Sequence, residues 1–586
     1  MLSKALQLIG LLLIPSLSDA GPAAAHSVVQ DWSTHHAVFS HPGHEPHPSD
    51  KAAHERWSKI VAEPRFRMQA ERFFLAEHVR ATRRHRVGDL HRDWSMETAP
   101  APSTTPYPNE VTGFPAKFSF SSTTASCDNA AVPDFVVFMT GQSGNNVVAY
   151  DNLYSGCTGP APLVYFQYDT QSTGGGNLSL SLDGSQLAFN DVDSSGHGRI
   201  VLLKWAKNTS TVVQPTAVAA TAYRNCTAPC MTLLAPSTAV SNMTSPYVDY
   251  NTDTIYAGDS TGNVHQITGA FLGTPTLDPS GWPVNIDTKQ PSAALVDPVS
   301  GYVIFGTQSG YVVRIPPSGG SAVVSAHVQT ICGLKNAGTA DFTAGYLYIV
   351  AVDTAASGSC TSTGAPPGLV QISTTFTAGA TPTVVALTGV TATSSNNTSP
   401  TFDNAYFNSS NPLSPSGRLF VCISKPATIA QFNILNNSIT AAAAPTTVAV
   451  TTNLSPTTAA PAPTCSYISE NYDGVSDRIF VGIGTGSVST AGTYDCGGVS
   501  TAIGAGCALE YDITSANISS SSTPAANLPI AGGGAGAMIV DTNASLTGAR
   551  QVYFSTYTPQ ACAGNSAGAG AGTGYCAIQA SQSGLN

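Results

Sequence analysis

Residues 116–586 read as an all-β chain of repeated four-stranded units, the pattern of a multi-bladed β-propeller, behind a short helical N-terminal arm. Three observations carry this reading. A short β-rich segment recurs eight times: Phe135–Phe138, Leu187–Phe189, Ile255–Gly258, Val303–Gly306, Leu347–Val350, Leu419–Cys422, Ile479–Gly482 and Val552–Ser555. An apolar stretch, often ending in Asp, precedes such a segment, and a Gly-containing turn with another apolar strand follows it. Charged residues make up only 10% of the 586, which excludes a coiled coil and a charge-driven disordered chain. The net charge of −11 argues against a surface that neutralises nucleic-acid phosphates.

Residues 1–20 have the pattern of a secretory signal peptide. Lys4 supplies the positive end and Ala5–Leu17 a short apolar core broken by Pro15. Ser18-Asp19-Ala20 places small residues before a cleavage at Gly21, with Ala23-Ala24-Ala25 as a second option. The core is shorter than the ~20 residues that cross a bilayer, and no later apolar run reaches that length. The expectation is a secreted protein, extracellular or periplasmic, without a transmembrane segment.

Residues 21–98 form a His- and Arg-rich arm, expected to be partly helical. They hold 10 of the 13 His, and 26% of residues 21–100 are charged. Asp50 can cap one helix, and Pro64 suits the first turn of a second. In that second helix Phe66, Ala70, Phe73, Phe74 and Glu77 share a face, and Arg80, Arg83, Arg84 and Arg86 make a basic end. The arm is expected to pack its Phe residues on the main domain and solvate its Arg residues, the alternative being a basic amphipathic helix that touches an anionic membrane or polyanion. Asp31-Trp32-Ser33 recurs as Asp93-Trp94-Ser95, either two similar strand ends or two packing anchors. Residues 99–115, with five prolines, read as a stiff linker.

The propeller then occupies 116–586. Eight second strands, spaced irregularly by 44 to 73 residues, predict eight blades, with seven as the alternative. Third strands follow at Ile200–Trp205, Val264–Ile267, Val312–Ile315 and Ile429–Phe432, and fourth strands at Thr383–Leu387 and Thr446–Val450. Residues 388–400 and 451–464, rich in Thr, Ser, Ala and Pro, read as loops. Each small sheet has two apolar faces to bury against neighbours, and closing the ring leaves only short edges.

The segments Ile255-Tyr-Ala-Gly-Asp-Ser-Thr-Gly-Asn-Val264 and Val303-Ile-Phe-Gly-Thr-Gln-Ser-Gly-Tyr-Val312 resemble the core of PQQ-like repeat propellers. Ser181-Leu-Asp-Gly-Ser-Gln-Leu-Ala-Phe189 is similar to the repeat of Tol-system propellers. The resemblance covers about three blades and implies the fold. Beyond residue 100 only Trp205 and Trp282 occur, so the tryptophan-docking signature of quinone dehydrogenases is absent.

All twelve Cys follow residue 126, and an even count in a secreted chain suggests disulfides. Neighbour pairing is expected, each pair stapling one repeat: Cys127–Cys157, Cys226–Cys230, Cys332–Cys360, Cys422–Cys465, Cys496–Cys507 and Cys562–Cys576. Two motifs suggest metals. His41, His44 and His47 have ligand spacing, although interleaved prolines favour an extended segment. Asp191, Asp193 and Ser195, with Gly196, match the start of a calcium loop whose twelfth position is Leu202 instead of Glu. No cofactor is expected; calcium at this loop is the alternative to an ordinary hairpin loop.

Hydrolase and nucleotide motifs such as G-x-S-x-G, H-E-x-x-H and the P-loop are missing. After residue 100 there are only three Glu and three His. Asp183, Asp249, Asp297, Asp403, Asp473 and Asp541 read as turn-forming residues, and His265 as a packed strand residue. The sequons at Asn177, Asn208, Asn242, Asn397, Asn453 and Asn543 read as polar surface loops. The leading functional expectation is a binding or scaffold propeller engaging a glycan, a protein partner or itself through Ser/Thr/Asn/Tyr-rich loops. The alternatives are a secreted propeller hydrolase or lyase acting on polysaccharide and, behind it, a quinone or metal oxidoreductase. An axial pocket with two close carboxylates, or with a carboxylate facing a His or Tyr, would mark the enzyme; one lined by Ser, Thr and backbone would mark the binder.

Overall fold

The computed structural model describes residues 27–582 except 41–48, 71–89, 101–112, 123, 129, 131, 141–143, 329–332, 352–366, 388–398, 424–426, 441–444, 450–463, 485–493, 496–499, 502–505, 531–533, 542–549, 558, 566–567 and 569. Eight largely antiparallel sheets of four or five strands follow one another along the chain, so the molecule is an eight-bladed β-propeller. Every second strand expected from the sequence is found, from Phe135–Met139 in blade 1 to Gln551–Ser555 in blade 8. These segments were readable because most of their residues are buried on both faces, so they appear as continuous apolar runs.

The blades open on the strands Ala116–Ser119, Gly174–Leu180, Tyr247–Asp249, Leu295–Val296, Thr339–Asp341, Thr401–Phe402, Ser469–Tyr472 and Ile539–Asp541. First strands touch between blades 1 and 2, 3 and 4, 6 and 7, and 7 and 8, which places them around the axis. Hydrophobic clusters then bridge the blades in series. Leu180 and Phe189 of blade 2 meet Phe118 and Phe135 of blade 1. The series returns to its start where Trp94, Met96, Tyr553 and Ala577 pack on Val136, Phe138 and Tyr150.

That last contact extends the sheet into the expected arm. Leu90–Pro100 is a strand paired antiparallel with Ala571–Gln582, from Leu90 opposite Gln582 to Pro100 opposite Gly574. It supplies an outer strand of blade 8, so residues from both ends of the described chain close the ring. The local sequence gave no cue because the partner strand lies about 490 residues away.

Residues 27–40 are the second departure. Val28–Gln30 pairs with the first strand of blade 1 on its free edge, and Ala37–Val38 pairs in parallel with the first strand of blade 5. The Gln30 amide donates to Val540 O of blade 8 (3.1 Å). This segment therefore threads the axis. Helix α1 (Lys51–Ala62), capped by Asp50 through Ala53 N at 3.0 Å, lies at one end of it. There Arg56 donates to Phe342 O (2.7 Å). Residues 64–70 are helical, with Phe66 and Ala70 buried as the sequence periodicity required. Phe73, Phe74, Glu77 and the basic end lie outside the described residues.

Four disulfides lie wholly among the described residues: Cys127–Cys157, Cys226–Cys230, Cys422–Cys465 and Cys562–Cys576, with Cα–Cα distances of 5.7, 6.3, 6.1 and 5.7 Å. Cys422–Cys465 joins the second strand of blade 6 to blade 7, so it staples two blades rather than one repeat. The pairs Cys332–Cys360 and Cys496–Cys507 involve positions outside the described residues. No helix among the described residues is long and apolar enough to cross a membrane.

Candidate ligand-binding site

A cavity of about 470 Å³ opens on the axis, on the side where the chain enters the first strands. Its walls are the segments leading into blades 3, 4 and 5, at 241–245, 290–293 and 335–337, together with Gly174–Asn177 at the start of blade 2. Asn190 and Val192, at the end of the second strand of blade 2, complete that wall. The axial segment contributes Trp32 and His36, and blade 7 contributes Tyr467. The polar lining is amide and hydroxyl. Lys335 is the single permanently charged side chain, and no Asp or Glu lines the cavity among the described residues.

The axial residues are tightly fixed. Asp31 accepts from Ser33 N (2.9 Å) and starts a 3-10 turn over Trp32–His35. Trp32 is 1% exposed and its Nε1 donates to Ser179 Oγ and Pro246 O, both at 3.2 Å. Buried Arg65 locks the turn from below. It donates to Ser33 Oγ (2.9 Å) and Val248 O (2.8 Å), pairs with Glu63 (2.7 Å), and lies over the rings of Tyr247 and Tyr250. His36 shares Nδ1 with Gly338 O (2.9 Å), and burial pulls its pKa down to about 4. A neutral ring that donates from Nδ1 leaves Nε2 as an acceptor.

The blade 3 wall, 241–245, hangs on the turn Asp259–Asn263. Ser260 N donates to Asn242 O (3.0 Å), Ser241 N to Ser260 Oγ (3.0 Å) and Thr244 N to Gly258 O (2.8 Å). Asp259 Oδ1 holds the turn through Thr261 N (2.7 Å) and Asn263 N (3.0 Å). Gly262 there has φ +88, and a Cβ would sit 1.9 Å from Asp287 O, so the turn requires glycine. Behind it His265 is buried between two carboxylates, Nε2 at 3.0 Å from Asp259 and Nδ1 at 2.8 Å from Asp278. Both ring nitrogens face acceptors, and despite the opposing desolvation these bonds raise its pKa to about 9.

The sequence candidates lie elsewhere. Asp191 is fully buried and takes Arg199 in a two-point ion pair, Oδ1–Nε 2.6 Å and Oδ2–Nη2 3.2 Å. Asp193 accepts from Ser195 N (2.8 Å) and His197 N (3.0 Å) in an exposed hairpin, and Ser195 faces solvent. No group of three or more His, Cys, Asp or Glu positioned to hold a metal occurs among the described residues. His41, His44 and His47 lie outside them. Turn bonding by Asp is seen at Asp183, Asp249, Asp297, Asp403 and Asp473, and also at Asp341, which the sequence reading passed over. Asp541 instead pairs with buried Lys117 (3.0 Å).

Carboxyls do meet away from the cavity. Burial, with the charges of Glu470 and Asp403, pushes Asp477 well above the usual carboxylate range, and Asn404 N donates to it (2.8 Å). All three carboxyls are buried.

Asn177 corrects the sequon reading. It is a strand residue whose Nδ2 donates to Ser245 Oγ (2.9 Å) and whose Oδ1 accepts from Phe114 N (2.7 Å). Asn397, Asn453 and Asn543 lie outside the described residues. Trp32, His36, Asn190 and Tyr467 were not singled out for a site by sequence reasoning, since no local spacing links them. The Gly174-Gly175-Gly176 run was the one available cue that something packs closely there.

No family model matches this chain, and no curated protein matches it. Among solved structures it is similar to BamB from Moraxella catarrhalis, at 10% identity over 77% of this chain and 92% of that one, with a TM-score of 0.38. It is similar to Sqt1 from Saccharomyces cerevisiae at 8% identity over 84% and 100%, TM-score 0.46. It is also similar to dihydro-heme d1 dehydrogenase NirN in complex with DHE, at 12% identity over 76% and 79%, TM-score 0.36. These neighbours are propellers, and the likeness is one of fold alone.

Proposed function

We propose that this protein is a secreted β-propeller that binds a glycan in the axial cavity and acts as a binding or scaffold protein. The observation that carries the reading is the lining: amides, hydroxyls and aromatic rings with one lysine, Lys335, and no carboxylate among the described residues. Polar groups of that kind satisfy sugar hydroxyls, and rings take the apolar faces of sugars. Glycoside hydrolysis generally needs an acid and a base or nucleophile beside the scissile bond. Among the described residues, the buried carboxyls do not line the cavity. The four disulfides support an oxidising, extracellular setting.

The test is a glycan array run beside a polysaccharide-degradation screen on the exported protein. Retention of a glycan without product is the expected result. Release of shortened sugars would establish the enzyme alternative. N-terminal sequencing of the exported protein should begin at Gly21.

A further inference from the structure

Polar atoms at the cavity floor lack partners within the protein. Asn190 is 6% exposed, and its Nδ2 donates to Met243 O (2.8 Å). Its Oδ1 is buried and has no hydrogen-bond partner. Buried acceptors left in this state are exceptions in folded proteins and mark a place for an outside donor. The position is built: a Cβ on Gly176 would fall 2.3 Å from that same Oδ1, so glycine is what leaves room for the amide. His36 lines the same cavity with Nδ1 engaged by Gly338 O, which leaves Nε2 as an acceptor. Tyr467 stands edge-on to His36, ring centroids 5.8 Å apart.

Two acceptors with no fixed donor select for a ligand that brings hydrogens. A carboxylate or sulfate would meet lone pairs. Among the described residues the lining holds no acid to pair an ammonium, and its one lysine, Lys335, is an exposed wall residue and not a partner of the two floor acceptors. A neutral polyol satisfies both acceptors and can lay an apolar face on Tyr467.

We infer that the cavity floor is a subsite for one neutral sugar unit, which donates hydroxyls to Asn190 Oδ1 and His36 Nε2 and is kept free of uronate or sulfate by the same two acceptors. This deepens the binding reading above and rests on it. It also makes the threaded N-terminal segment part of the recognition surface.

The experiment uses the full mature protein and titration calorimetry with two probe sets. One set is maltohexaose, cellohexaose, mannohexaose and chitohexaose; the other is oligogalacturonate and oligoguluronate of matched length. At least one neutral hexasaccharide should bind, and each uronate should bind tenfold more weakly or worse. Asn190→Ala should weaken that binding about tenfold, the scale of one lost hydrogen bond. Gly176→Ala, which displaces the Asn190 amide without removing it, should weaken it similarly. If both variants bind as the parent does, or a uronate binds as tightly, the subsite assignment is overturned and the binding reading stands. If the parent binds neither set, the glycan reading itself falls. Should Asn190→Ala fail to fold, Gly176→Ala and the parent's neutral-over-uronate preference decide the matter.

Discussion

His265 offers the sharpest quantitative test, because it supports the cavity wall through the Asp259 turn. Its two ring nitrogens donate to Asp259 and Asp278, and only the imidazolium has two N–H groups. The fold therefore favours the protonated ring, moving its pKa from 6.5 to about 9. A shift of that size is worth about 3 kcal/mol, on the order of 1.4 kcal/mol per pH unit. A pKa raised by folding stabilises fully below the unfolded value. The contribution is thus complete below pH 6.5 and is lost as the pH rises through about 9. Replacing His265 with Gln removes the titrating charge and leaves the rest of the turn in place. Urea denaturation with intact disulfides, run from pH 6 to pH 10, should show the variant less stable at pH 6. That gap should narrow by about 3 kcal/mol toward pH 10. Amide protection at 241–245, taken relative to the intrinsic exchange rate at each pH, should fall in the parent over the same interval. A gap that stays constant across the range would refute the imidazolium argument.

Three further outcomes follow from the packing. Trp94 and Trp32 are both buried, but Trp94 Nε1 has no partner whereas Trp32 Nε1 has two. Trp32→Phe should therefore cost about 1–3 kcal/mol more than Trp94→Phe in chemical denaturation. Asp477→Asn should match the parent only near pH 4 and exceed it by a growing margin as the pH rises toward about 9, because the unfolded carboxyl ionises from 3.8 upward while the folded one stays protonated; thermal melts at pH 4 and pH 9 check this. Breaking Cys562–Cys576 with paired Ala substitutions should lower stability by about 3 kcal/mol, the chain-entropy value for a loop of this length, measured by urea midpoint.

The contrast between what the sequence discloses and what it hides is physical. Val303–Gly306 and its counterparts are buried between neighbouring blades, so composition alone marks them. The turn aspartates are equally local, since each bonds an amide two or three residues on. The axial segment is not local. Val38 pairs with Asp341, and Leu90 with Gln582, so no window of sequence contains both members. The site shares that defect. Its walls come from blades 2, 3, 4, 5 and 7, and His36 is one His among ten in a stretch that reads as a solvated arm. Asn177 misled for the opposite reason: a three-residue motif matched, while its bonds to Ser245 and Phe114 come from distant chain.

The pairing of Leu90–Pro100 with Ala571–Gln582 sets an order on how the molecule is made. Synthesis at roughly 5–20 residues per second delivers the partner strand on the order of half a minute or more after the N-terminal strand. Through that interval the first hundred residues have neither the last blade to pair with nor a closed axis to thread. Blades 1 to 7 can stack as they emerge, each against its predecessor, but the ring shuts only with the final strand. Truncation near residue 570 would therefore remove more than one strand: it would leave the N-terminal strand unpaired and the contact of Trp94 and Met96 with blade 1 unsupported.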